Sequence, residues 1–170
     1  MGNFLTWLHL LGIAISIGSG LFFVLVFYPS LKAIPDPALR MKTLAESLRF
    51  FHPLFLFGIC LIFMSGAIRL TDLKVSFGGL YYSTFGKILL WKFGMTLVIF
   101  MTASMQSFGM GLKLGRMANG VIPGDLALQE KQARKIRRAT TINLIFLGVT
   151  LFMGLQLVPL IHGGAHSPLH

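Results

Sequence analysis

Four long stretches of this chain carry almost no charge: Phe4 to Tyr28, Phe51 to Ala67, Ile88 to Phe108 and Ile142 to Ile161. A bilayer's hydrocarbon core is about 30 Å thick and takes roughly 20 residues of helix at about 1.5 Å each, with a working range of about 17 to 25. Each stretch meets that requirement. Lipid offers no partner for backbone N–H and C=O groups, and these runs lack the two-residue alternation of barrel strands, so helices are the expected element. The spacing predicts an all-α integral membrane protein, a single domain built as a four-helix transmembrane bundle with helices at about 4–28, 48–70, 85–108 and 140–161.

Composition agrees. The 170 residues are 55% hydrophobic and only 12% charged, about half the charged share of an ordinary globular domain. Five acidic residues leave little material for a paired-carboxylate active site. The single cysteine, Cys60, excludes an internal disulfide and any multi-cysteine metal site. The first run has no basic leader and no small-residue cleavage site after Tyr28, so it reads as a permanent span rather than a signal peptide. Pro29, Pro35 and Pro37 follow the first run, Gly78 and Gly79 precede the third, and Gly120, Pro123 and Gly124 precede the fourth, all as breakers.

Fifteen Lys and Arg against five Asp and Glu are unevenly spread. Lys32, Arg40, Lys42 and Arg49 lie in the first connection, and Lys113, Arg116, Lys131, Arg134, Lys135, Arg137 and Arg138 in the third. The other end has Arg69, Lys74 and Lys87, with Lys92 set deeper. The positive-inside rule then places both termini outside the cytoplasm, which would be the periplasmic side in a bacterium, with Trp7, Tyr81 and Tyr82 at the outer interface. The basic run from Lys131 to Arg138 reads as a stop signal and a contact for anionic lipid. It has no aromatic stacking platform, so no nucleic-acid partner is expected.

His9, about a turn and a half into the first helix, is the first chemical candidate, because an ionisable group at membrane depth is a functional suspect by default. At about 100° per residue, Gly12, Ser16 and Gly20 share its face, forming a groove of small side chains. Such a groove either admits a neighbouring helix closely or leaves room for a flat macrocycle. Lys92 is the second candidate, at about the depth of His9. Its ammonium either faces the bundle or snorkels to the interface. Thr96, Ala103 and Gln106 continue its face, which suits the bundle interior.

Met64, Met95, Met101, Met105 and Met153 supply thioethers that suit Cu(I), or simply pack. His162, His166 and His170 crowd the C-terminal tail and could gather a metal ion. His52, beside Pro53, is expected at the cytoplasmic interface, too far from His9 to share a site with it. Cys60 is expected to pack.

The segments Leu8-His9-Leu10-Leu11-Gly12, Gly18-Ser19-Gly20-Leu21, Pro29-Ser30-Leu31, Arg49-Phe50-Phe51, Ser65-Gly66, Gly86-Lys87-Ile88-Leu89-Leu90-Trp91-Lys92 and Phe108-Gly109-Met110-Gly111-Leu112-Lys113-Leu114 together resemble the copper resistance protein D family. The resemblance implies a helical bundle of the bacterial inner membrane that handles copper, and it points at His9 and Lys92. A sister group, the membrane-embedded protoporphyrinogen oxidases that bind haem b, is similar at the same two residues. The chain departs from that group where its last helix opens Arg138-Ala139-Thr140-Thr141-Ile142-Asn143-Leu144, without an Asn-Glu-x-Pro signature, and where Ser16 stands in place of a tryptophan.

Two functions follow as expectations. One is copper transport or resistance, with His9, Met95, His162, His166 and His170 as metal ligands. The other is a haem b protein in electron transfer or porphyrinogen oxidation, with Gly12, Ser16 and Gly20 making room for the cofactor beside His9 and Lys92. The expected partners are the lipid bilayer, other membrane subunits, and a periplasmic metal or electron carrier.

Overall fold

The computed structural model describes residues 2–77 and 84–163, with side chains described for 4–68, 71 and 86–155. Helix one runs as α-helix over Gly2–Leu21, widens into a π-helical turn over Phe22–Phe27, and closes through Tyr28–Ser30 and a 3-10 turn at Leu31–Ala33. Helix two is continuous over Pro37–Phe77. Helix three is α-helical over Thr84–Ser104, π-helical over Met105–Gly111 and α-helical again over Leu112–Ala118. Helix four is Leu126–Gly163. No strand occurs among the described residues. Four segments are long and apolar enough to cross a membrane: Phe4–Ala33, Pro37–Ile68, Gly86–Ala118 and Leu126–Leu155.

The helices outrun the expected 4–28, 48–70, 85–108 and 140–161, chiefly at the basic end, because that end carries its own start and stop chemistry. Asp36 Oδ1 accepts the Ala38 N–H at 2.9 Å, and Pro37 occupies the first helical position, where a missing N–H costs nothing. Pro37 thus starts helix two rather than breaking the chain. Asp125 Oδ1 likewise accepts the Leu128 N–H at 2.7 Å and opens helix four. Helix three ends on Gly120, whose φ of 70° suits glycine. Val121 N–H reaches Arg116 O at 2.8 Å and Gly120 N–H reaches Met117 O at 3.1 Å, the paired bonds of a Schellman stop.

Helix one lies along helix two, two along three, three along four, and four closes against one. Two apolar clusters fill the middle. One, at the basic end, joins Phe23, Leu44, Leu48, Leu114 and Ile136. The other, deeper, joins Phe55, Ile59, Ile62, Ile99 and Leu147. Outward, Phe4, Trp7, Leu25, Phe50, Phe108 and Phe152 are each more than half exposed, a surface that suits acyl chains rather than water. Helix two, at 41 residues, is about 60 Å long, twice a bilayer core. Its first half holds Arg40, Lys42 and Arg49.

Candidate functional site

His9 faces the bundle. Its Nδ1 lies 2.8 Å from Ser65 Oγ on helix two, and the ring runs past the neighbouring Gly66, where a β-carbon would stand 3.8 Å from Cε1, an ordinary contact. The Ser65 hydroxyl bonds back to the carbonyl oxygens of Leu61 and Ile62 on its own helix. With those carbonyls as acceptors for its one proton, the Ser65 hydroxyl can accept from His9 Nδ1–H, the tautomer in which imidazole binds metals through Nε2.

Lys92 reaches across from helix three to helix four. A β-carbon at Gly154 would stand 2.6 Å from its Nζ, so the glycine makes the passage. Lys92 is half-buried as a residue, and its side chain extends to a neighbouring helix instead of running along its own. Phe63 of helix two stacks on Phe93 of helix three with centroids 5.2 Å apart. The level of Ser65, and with it His9, is therefore close to the level of Lys92. Thr96, Ala103 and Gln106 are all buried, so the polar stripe below Lys92 does face inward.

The small-residue groove below His9 is taken up by protein. A β-carbon at Gly12 would lie 2.8 Å from Gly58 O, and one at Gly20 would lie 2.7 Å from Leu144 Cδ2. Ser16 Oγ is buried with no hydrogen-bond partner among the described residues. Gly12, Ser16 and Gly20 thus seat helices two and four, and this stripe does not fit a macrocycle. The open volume on helix one is elsewhere: an apolar cleft of about 640 Å³ bordered by Gly18, Phe22, Phe50 and Leu54. Gly18, nine residues after His9, is on the opposite side of the helix.

The methionines divide. Met64, Met101 and Met105 are exposed on the outer surface and cannot join His9. Met95 and Met153 are half-buried, and Met153 adjoins Gly154. No group of three or more His, Cys, Asp and Glu side chains converges among the described residues. Cys60 is a half-buried thiol. His162 belongs to the end of helix four, where side chains are not described. His166, His170, Tyr81 and Tyr82 lie outside the described residues.

A second polar group, deeper toward the basic end, was only partly foreseen. Thr102 Oγ1 donates to Asn143 Oδ1 at 2.6 Å, Asn143 Nδ2 donates to Gln106 Oε1 at 3.3 Å, and Gln106 Nε2 donates to Thr140 Oγ1 at 2.6 Å. Gln106 and Asn143 are each 1% exposed. This ladder clamps helix three to helix four, and buried amides so satisfied specify one pairing of helices. His52 adjoins it and corrects an expectation. With helix two starting at Pro37, His52 does not begin the helix but lies four turns inside it, and it is only 4% exposed. Its ring lies against Gly111 in the π-helical turn, where any side chain would collide with it. The wide turn brings Gln106, Ser107 and Gly111 all inward.

No protein-family model, no curated protein and no solved structure matches the chain. Function must therefore be argued from these side chains.

Proposed function

We propose that this chain is a multi-pass protein of the bacterial inner membrane that handles copper at the His9 end of its bundle, with that end and both termini facing the periplasm. One observation supports the reading: the 2.8 Å contact between His9 Nδ1 and Ser65 Oγ, which anchors an imidazole of helix one on helix two. Copper is the cargo. Met95, a half-buried thioether on helix three, is a soft second donor, and His162, His166 and His170 at the chain's end gather the ion from a periplasmic carrier. The excess of Lys and Arg at the opposite end supports the sidedness.

A haem b protein is the second reading, and Lys92 favours it. A cation held across to helix four suits a propionate. The filled stripe at Gly12, Ser16 and Gly20 weighs against it, since helices one and two would have to part.

Purified protein decides between them. Copper retained stoichiometrically and lost in His9→Ala, with no Soret band, is the expected result. A Soret band that His9→Ala abolishes would move the assignment to haem. Neither signal, from protein that is folded, would leave a packing subunit and overturn both.

A further inference from the structure

At the basic end, helices one, two and four border a second, half-open cavity, of about 280 Å³, whose polar wall is Tyr28, Lys32, Arg40, Glu130, Arg134 and Arg137. Four cations meet one carboxylate there, and the carboxylate is stretched between two of them. Glu130 lies 3.3 Å from Arg40 Nη2 and 3.8 Å from Arg134 Nη1. Tight charge-assisted bonds run about 2.7–2.9 Å, so neither guanidinium is saturated. Arg40 Nε is buried with no partner among the described residues, a donor without its acceptor. Arg137 stands 4.9 Å over the Tyr28 ring, which holds its plane at the cavity wall.

The four positions on helix four, Glu130, Ala133, Arg134 and Arg137, form one face at helical spacing. Lys131, Lys135 and Arg138 do not line the cavity. Four of the cations at this end therefore border one concave site, with Arg40 the least exposed of them. Guanidinium forks match the oxygens of a phosphate group, and the site lies where helices leave the apolar zone.

We propose that this cavity binds a phosphate group, that of an anionic phospholipid headgroup, through Arg40, Arg137 and Lys32, with Glu130 as the competing anion that the phosphate displaces. The site is independent of any metal at His9.

The test uses the full chain, purified in neutral detergent and read by native mass spectrometry and thermal unfolding, with phosphatidylglycerol, phosphatidylcholine and inorganic phosphate as separate probes. Retention of phosphatidylglycerol over phosphatidylcholine is expected, weakened at least about tenfold by the pair Arg40→Gln and Arg137→Gln. Glu130→Gln should tighten it, a gain that a misfolded protein could not show. Equal stabilisation by inorganic phosphate, lost in the same double variant, would keep the site and identify a soluble anion as its source. Two results overturn the proposal: no binding of either phosphate source, or an equal loss from Lys135→Gln with Arg138→Gln, which would mean diffuse attraction only.

Discussion

Gly12 of helix one and Gly58 of helix two touch backbone to backbone, with a β-carbon at position 12 predicted to stand 2.8 Å from the Gly58 carbonyl oxygen. Gly12→Val should therefore force the helices apart and destabilise the bundle by about 1–3 kcal/mol. Gly18 has nothing within 4 Å of where a β-carbon would go, so Gly18→Ala should leave stability unchanged or slightly raised. Unfolding in mixed micelles compares the two. Equal losses would mean that the contact does not hold the helices.

Ser65→Ala should keep the fold but release the His9 ring. Removing a partner that orients a metal-binding imidazole weakens binding about 10- to 100-fold, so copper affinity should fall by that factor, against complete loss in His9→Ala. Competition with a chelator of known affinity measures both.

Lys92→Ala is expected to impair function without preventing membrane insertion. Gly154→Leu supplies the complementary check, since it closes the path that Lys92 takes to helix four. Both variants should insert normally, seen by protease protection in vesicles, and both should lose activity in a copper-tolerance assay. Unchanged activity in Lys92→Ala would assign the lysine to the interface.

Asn143→Leu should strand Gln106 Oε1, and Gln106→Leu should strand the amide of Asn143. Each single change is expected to destabilise by about 1–3 kcal/mol, because it leaves a buried polar group unpaired. The double replacement should fall well short of the sum. A double-mutant cycle measured by unfolding reads the coupling, and simple additivity would refute the ladder.

Much of this architecture was legible beforehand because hydrocarbon imposes a length and a polarity that the runs at Phe4, Phe51, Ile88 and Ile142 satisfy without help from tertiary contacts. The inward face of Thr96, Ala103 and Gln106 followed from helical spacing alone. The starts of helices two and four did not, although Asp36-Pro37 and Asp125 carry the caps, because the charged segments after them resemble connecting loops. His52 was misplaced for that reason. Its burial also depends on Gly111 lying in a π-helical turn, and nothing in the residues of that turn announces the extra width. The groove beside His9 was consistent with two occupants, and only the position of Gly58 on another helix tells which is present. Ser65 escaped notice as a partner because a serine bonded to its own helix looks complete until a neighbour's donor is seen.

Helix two carries both Ser65 and Arg40, separated by roughly 38 Å of axis. Pro53 lies inside helix two between them, where its ring removes one rung of the backbone hydrogen-bond ladder. The rod is therefore least stiff between its two ends, and occupancy of the arginine cavity need not disturb the imidazole's anchor.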